Sequence, residues 1–179
     1  MKRPLVGIIM GSDSDLETMS QSARILDELG IDNEVKVLSA HRTPKETTDY
    51  ANSAKKRGLK VVIAGAGGAA ALPGTIAALT SLPVIGVPIK SKSMEGLDSL
   101  LSIVQMPPGV PVATVGVDGS RNAGLLAAQI IGASDAKVAK AVEDFKKDQR
   151  LGVLKKNSNL QKIGWKKYLK NKQSFSMNK

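Results

Sequence analysis

The sequence predicts an α/β fold in which an open parallel sheet is covered by helices. Five apolar runs of strand length recur, at residues 5–10, 34–38, 60–64, 83–87 and 110–117. None of them alternates cleanly between apolar and polar residues, so we expect both faces of the strands to be buried. Longer segments with helical spacing separate the runs. This order of strand and then helix is typical of a parallel sheet.

The helices are predicted from the spacing of apolar residues and from signals at their ends. After the first strand, Met19 and Leu26 fall on one face of a helix, and Gly30 is a typical residue just past a helix end. Pro44 suits the first turn of a second helix, which we expect to run to about residue 56. The remaining helices are expected at 69–80, 96–105, 121–132 and 134–151. The last two follow each other without a strand between them.

The charge distribution indicates one main domain and a basic tail. The chain has 179 residues and a formal net charge of +10. Eight lysines and no acidic residue lie in the segment 155–179, so only +2 of the +10 belongs to the rest of the chain. We therefore assign residues 1–154 to a single α/β domain that carries the site, and residues 155–179 to a lysine-rich tail.

Composition also limits the chemistry. The chain has no cysteine and one histidine, which excludes disulfides and thiolate sites and disfavours a zinc or non-haem iron site. No apolar run approaches the ~20 residues of a membrane span, so we predict a soluble, cytoplasmic protein. Because the excess positive charge is confined to the tail, a nucleic-acid partner is disfavoured. It stays an alternative, since tail lysines surround Trp165, Tyr168 and Phe175.

The end of the first predicted strand has the outline of a phosphate site. Gly11-Ser12-Asp13-Ser14-Asp15 leads into a helix, and helix starts offer unpaired N–H groups to anions. The segment is neither a Walker loop nor a dinucleotide fingerprint, and its polar residues could equally be ordinary helix caps. Arg42 adds a bidentate donor near the end of the second strand. Asp15 suits a ribose hydroxyl, so the pattern favours a phosphoribosyl ligand.

Two further segments complete the candidate site. His41 lies in Ser39-Ala40-His41-Arg42-Thr43-Pro44 after the second strand, where an imidazole suits proton transfer, although a structural role is the alternative. After the third strand, residues 64–74 are mostly glycine and alanine, which leaves room for a flat ligand or permits tight packing of a helix on the sheet. The polar segment 88–96 is either a lid or a plain connection.

Four stretches together resemble the 5-(carboxyamino)imidazole ribonucleotide mutase family of purine biosynthesis. They are Met-Gly-Ser-Asp-Ser-Asp at 10–15, Ser-Ala-His-Arg-Thr-Pro at 39–44, Ile-Ala-Gly-Ala-Gly-Gly-Ala-Ala at 63–70 and Gly-Leu-Asp-Ser-Leu-Leu-Ser-Ile-Val-Gln-Met-Pro at 96–107. The resemblance covers roughly residues 4–150 in order. It implies a three-layer αβα, flavodoxin-like fold with about five strands and extra C-terminal helices, a homo-octamer, and no metal or organic cofactor.

The resemblance also implies roles for individual residues. Ser12 and Asp15, assisted by Ser14, would bind the ribose phosphate, Arg42 would bind phosphate, and His41 would be the general acid and base. The backbone of Gly67, Gly68 and Ala69 would hold the imidazole and its carboxylate. The complete set of expected substrate contacts is Ser12, Ser14, Asp15, Ser39, Ala40, Arg42, Ala66, Gly67, Gly68, Ala69 and Leu72. The reaction moves a carboxyl group from the exocyclic nitrogen of an imidazole ribonucleotide to ring carbon 4.

Two features depart from the family pattern, and one of them is the loop 117–122, which is shorter than the usual form. The other is Ala71, which stands where the family commonly has histidine in Gly-Gly-Ala-Ala-His-Leu-Pro-Gly. A weakened or non-catalytic nucleotide-binding paralogue is therefore one alternative. Another is a carboxylase that acts directly on aminoimidazole ribonucleotide and carbon dioxide, but Arg42-Thr43-Pro44 favours the mutase, because a lysine is expected there in the carboxylase.

Overall fold

A computed structural model describes residues 3–176 of the chain. The strands are β1 (Val6–Met10), β2 (Asn33–Val37), β3 (Val61–Gly67), β4 (Val84–Ile89) and β5 (Ala113–Thr114). The α-helices are α1 (Leu16–Glu28), α2 (Pro44–Ala54), α3 (Leu72–Leu79), α4 (Leu97–Val104), α5 (Ser120–Gly132), α6 (Ala136–Ile163) and α7 (Trp165–Ser176). A short 3₁₀ turn, Asp13–Asp15, precedes α1.

The five strands form one parallel sheet in the order β2-β1-β3-β4-β5. Val6 of β1 pairs with Asn33 of β2 on one side and with Val61 of β3 on the other. The chain therefore leaves β1 toward one edge and continues from β3 toward the opposite edge. This is the flavodoxin-like order, with its topological switch point between β1 and β3. The predicted fold class is confirmed.

Helices cover both faces of the sheet and bury two apolar cores. On one face, α1 and α5 pack on the sheet around a core that includes Ile8, Met19 and Ile63. On the other face, α2, α3 and α4 enclose a core that includes Ile9, Ile76 and Ile103. The fold therefore has three layers, because the central strands meet helices on either face.

A pair of buried serines joins α1 to α5. The hydroxyl of Ser22 donates a hydrogen bond to the carbonyl of Ser120 at 2.6 Å, and both side chains are fully buried. The backbone N–H of Ser22 donates in turn to the hydroxyl of Ser120 at 3.2 Å. Because buried polar groups are costly without partners, these mutual bonds let two hydroxyls lie inside an apolar layer.

Two expectations about the strands are wrong in detail. β2 lies at an edge of the sheet and is not buried on both faces, since 41% of Val35 and 52% of Val37 remain exposed. β5, the other edge, is reduced to two residues of the predicted run 110–117. Pro111, within that run, has no N–H to donate to a neighbouring strand.

The C-terminal part of the chain contains more helix than predicted. The helix expected to end near residue 151 continues to Ile163, and α7 follows after Gly164. Gly164 has a φ of +75°, a conformation that favours glycine and ends α6. The chain divides into two compact units, and the boundary falls inside α6 between Val142 and Glu143. None of the helices between residues 3 and 176 is long and apolar enough to cross a membrane.

Candidate active site

A cavity of about 390 Å³ opens at the carboxyl ends of β1, β2 and β3, around the switch point of the sheet. Three parts of the fold line it. They are the segment after β1 (Gly11, Ser12, Asp15), the turn after β2 (Ser39, Ala40, His41, Arg42) and the end of β3 with the start of α3 (Ala66, Gly67, Ala70, Ala71, Leu72). Ligands of open α/β sheets bind at this position.

Arginine and serine side chains tie the first two parts together. The guanidinium of Arg42 donates to the carbonyl of Gly11 at 2.6 Å, and its Nε donates to the hydroxyl of Ser39 at 3.4 Å. The hydroxyl of Ser12 caps the short 3₁₀ turn by accepting from the N–H of Ser14 at 3.3 Å. Ser12 is therefore both a helix cap and a cavity residue, and phosphate binding by this segment stays a prediction.

Asp15 is half-buried at the edge of the cavity, and its carboxylate has several neighbours. Ser14 lies outside the cavity lining, and its hydroxyl donates to Oδ1 of Asp15 at 3.2 Å. Burial raises the pKa of Asp15 above its ordinary value, while hydrogen bonds from Ser14 and Ser12 and the charge of Arg42 oppose that shift. Asp118 adds a smaller repulsion that raises the pKa further. The partly desolvated carboxylate is a strong acceptor for a ligand hydroxyl.

His41 lies at the tip of a turn that Ser39 and Thr43 close. The N–H of Thr43 donates to the carbonyl of Ser39 at 2.9 Å, and the N–H of Ser39 donates to Oγ1 of Thr43 at the same distance. The N–H of Arg42 donates to the hydroxyl of Ser39 at 3.2 Å. These bonds fix the backbone of the turn just before α2 begins at Pro44. The exposed imidazole of His41 thus lines the cavity from a turn closed by hydrogen bonds.

The glycine- and alanine-rich segment contributes both to helix packing and to the lining of the cavity. Gly65 permits close packing, because a Cβ at that position would lie 2.4 Å from Sδ of Met19 in α1. Ala66 and Gly67, the next two residues, line the cavity. The segment therefore packs against a helix at Gly65 and lines the cavity at the next two residues.

The structure separates the expected site residues into two groups. Nine predicted site residues line the cavity: Ser12, Asp15, Ser39, Ala40, His41, Arg42, Ala66, Gly67 and Leu72. Ser14, Gly68 and Ala69 do not line it, and their contact with a ligand stays a prediction. The N–H of Gly68 already donates to the hydroxyl of Ser99 at 2.9 Å.

Three lining residues were not among the expected contacts. Gly11, Ala70 and Ala71 all lie within segments that the sequence had singled out. Ala71 is marked by its departure from the family pattern, whereas no local signal distinguishes Gly11 and Ala70 as ligand contacts. The segment 88–96 contributes no residue to the lining.

The fold and the cavity together define a class of protein, namely a doubly wound α/β protein with a cavity at its switch point that carries Asp15, His41 and Arg42. The family model described as AIR carboxylase matches residues 5–151. The chain therefore belongs to the AIR carboxylase family.

Known relatives extend the match over nearly the whole chain. An N5-carboxyaminoimidazole ribonucleotide mutase of Pyrococcus horikoshii is 56% identical over 168 residues, which are 94% of this chain and 95% of the relative. A phosphoribosylaminoimidazole carboxylase of Saccharomyces cerevisiae is 55% identical over 172 residues, but these are only 30% of that longer protein. The crystal structure of Treponema denticola PurE superposes with a TM-score of 0.80 at 31% identity, covering 88% of this chain and 99% of that one.

Proposed function

We propose that this chain is an N5-carboxyaminoimidazole ribonucleotide mutase of purine biosynthesis. The observation that carries the proposal is that Ser12, Asp15, His41 and Arg42 line the same cavity. Ala66 and Gly67 form another part of its lining. The mutase relative from Pyrococcus matches over nearly its entire length, so the proposal does not depend on a further domain.

The cavity suits a ribonucleotide in one orientation. Arg42 and Ser12 would bind the phosphate, because a guanidinium and a hydroxyl are strong donors to anionic oxygens. Asp15 would accept a hydrogen bond from a ribose hydroxyl. The imidazole ring would then lie against Ala66 and Gly67, next to His41. All of these groups line one cavity of about 390 Å³, which is the size of a small-molecule site.

The chemistry needs one proton carrier and a closed space. The carboxyl group leaves the exocyclic nitrogen as carbon dioxide, the electron pair of the N–C bond stays on nitrogen, and His41 supplies the proton required there. Ring carbon 4 of the electron-rich aminoimidazole then attacks the carbon dioxide. His41 removes the proton from carbon 4, which restores the aromatic ring and the protonated imidazole. Holding carbon dioxide next to the ring makes the second step effectively unimolecular.

The direct test is interconversion of the two carboxylated ribonucleotides. We expect the purified chain to equilibrate the carboxyamino compound and the carbon-carboxylated compound without ATP. The absorbance of the imidazole ring reports the interconversion. Absence of interconversion at substrate concentrations that saturate binding would contradict the proposal.

Direct carboxylation is a second candidate, because the yeast relative is named phosphoribosylaminoimidazole carboxylase. A carboxylase would convert aminoimidazole ribonucleotide at a rate that saturates with bicarbonate and would not consume the carboxyamino compound. The mutase is favoured because the mutase relative is covered almost completely, whereas the chain covers less than a third of the yeast protein.

We also propose a homo-octamer in the cytoplasm. The support is an apolar surface on and before α4, where Met94, Leu97, Leu101 and Val104 are each about half exposed. Contiguous apolar surface of this kind typically marks a protein interface. Light scattering is expected to give a mass eight times the 18.8 kDa of one chain. A monomeric mass would contradict this assembly.

Finally, we propose that residues 1–154 carry the activity and that residues 155–179 are an accessory tail. The family match to residues 5–151 supports the division. A chain ending at residue 154 is expected to keep its mutase kcat. Salt-sensitive RNA binding by the full chain, lost in the shortened one, would favour a nucleic-acid role instead.

A further inference from the structure

Ser99 is a buried polar side chain next to the candidate active site that the proposed chemistry does not use. It is the third residue of α4, and its side chain is fully buried. Its hydroxyl accepts a hydrogen bond from the N–H of Gly68 at 2.9 Å and donates one to the carbonyl of Ile89 at 2.8 Å. A single hydroxyl therefore connects the end of β4 with the loop that follows β3.

The loop held by Ser99 forms one wall of the cavity and has an unusual backbone. Ala70 and Ala71 of this loop line the cavity, as does Gly67, the last residue of β3. Gly68 has a φ of +63°, and Ala70, which is not a glycine, has a φ of +37°. Left-handed conformations outside glycine cost free energy and persist only where surrounding contacts hold them. The bond from Gly68 to Ser99 is such a contact, placed between the two cavity residues Gly67 and Ala70.

The neighbouring Asp98 connects the same helix start to the segment 90–96. Its Oδ1 accepts from the hydroxyl of Ser91 at 2.8 Å and from the N–H of Ser99 at 2.9 Å. The hydroxyl of Ser91 also accepts from the N–H groups of Met94 and Gly96 at 3.2 and 3.4 Å. The hydrogen bond from Ser91 holds the pKa of Asp98 below its ordinary value, so the carboxylate is charged at neutral pH. The first turn of α4 therefore holds the loops after β3 and β4 together.

We propose that Ser99 is a positioning residue whose hydroxyl holds the Gly68 amide and thereby sets the geometry of the cavity wall at residues 67–72. The inference rests on the proposed function, because this wall is where the imidazole ring would lie. Ser12, Asp15 and Arg42, which would bind the ribose phosphate, belong to other parts of the fold. Loss of the Ser99 hydroxyl therefore affects turnover more than affinity.

The kinetic test is Ser99→Ala in the full chain. We expect kcat for mutase turnover to fall by about 10- to 100-fold, because a small displacement of reacting groups has an effect of this size. KM is expected to change by less than about threefold, since the phosphate contacts are intact. Ser53→Ala is the matched control, because that partly buried hydroxyl donates to the Tyr50 carbonyl inside its own helix. Its kcat should equal that of the parent chain.

Hydrogen–deuterium exchange tests the same link without any substrate. In Ser99→Ala, the Gly68 amide, measured in the peptide 64–72, is expected to exchange about tenfold faster because it loses its acceptor. The peptide 5–11, from β1, should be unchanged. Ser99→Thr keeps the hydroxyl and is expected to restore both protection and kcat. If Ser99→Ala does not fold, Ser99→Cys fills a similar volume with a weak acceptor and should change both quantities in the same direction.

Three results would overturn the inference. One is a Ser99→Ala chain whose kcat stays within about twofold of the parent although its peptide 64–72 exchanges faster. Another is a Ser99→Ala chain whose peptide 64–72 exchanges at the parent's rate. The third is faster exchange everywhere, which would indicate general destabilisation rather than positioning. An inactive parent chain would contradict the proposed function instead, and the exchange measurement would still decide whether Ser99 holds the Gly68 amide.

Discussion

Replacing His41 with asparagine tests the proposed proton carrier most directly. His41 is exposed on a turn whose hydrogen bonds are made by Ser39, Arg42 and Thr43, so its side chain contributes little to the fold. Exposed substitutions of this kind change stability by about 0.5 kcal/mol or less. The chain has no second histidine, and the other ionisable residues lining the cavity are Asp15 and Arg42. No second imidazole can therefore take over the proton transfer.

The expected loss in kcat is about 100- to 10,000-fold, the usual contribution of a positioned general acid or base. This corresponds to about 3–5 kcal/mol of transition-state stabilisation, at about 1.36 kcal/mol for each factor of ten. Substrate affinity should change by less than about threefold, because phosphate and ribose would be held by other residues. Exposed Glu46→Gln, at the start of α2, is the matched control for a nearby polar change.

The assay combines absorbance-monitored interconversion with calorimetric titration of the ribonucleotide and a thermal melt. An inactive, folded His41→Asn chain that still binds substrate would establish the assignment. A loss of less than about tenfold in kcat, or a loss of binding equal to the loss of turnover, would refute it.

Three other changes have expected outcomes. Asp15→Asn should raise Tm at pH 7 and weaken substrate binding. Folding raises the pKa of Asp15, so its carboxyl favours the folded state when protonated, and this stability is lost as pH rises through the folded-state pKa. Asparagine stays neutral at pH 7 and avoids that loss. A lower Tm at pH 7, or a benefit that persists at pH 3, would contradict this. Gly65→Ala should destabilise the chain to urea by about 1–3 kcal/mol through its clash with Met19, and Met19→Ala in the same chain should cost less than alone. Ala71→His, on the cavity wall, should raise kcat by up to about tenfold, whereas an unchanged kcat would show that the site works without a second imidazole.

Most of the fold could be predicted because its signals are local. Apolar runs bounded by glycine and polar residues predicted all five strands, and Pro44 and Gly30 marked helix ends that the structure contains. The motif residues that follow each strand could also be placed at the same edge of the sheet, since parallel strands all end there. Ser12, His41 and Arg42 line one cavity for this reason.

The predictions that are wrong concern the burial of an edge strand and the length of the C-terminal helix. Val35 and Val37 are apolar like the central strands, yet β2 is an edge strand, and only the order β2-β1-β3-β4-β5 shows this. The length of α6 was underestimated because lysine, leucine and glutamine after residue 151 favour helix as well as a solvated tail. Gly164 then ends that helix at a point that the charge pattern does not reveal.

The sequence by itself determined the fold class and the family, and it predicted which residues would bind phosphate and ribose and move a proton. Only the tertiary structure decided which of their groups are free and which already have partners. Gly68 is the clearest case, because its amide donates to Ser99, 31 residues further along the chain. A hydrogen bond between a loop and the first turn of a helix depends on the register of β3 and β4 and on the placement of α4, and such long-range geometry leaves no trace in local periodicity.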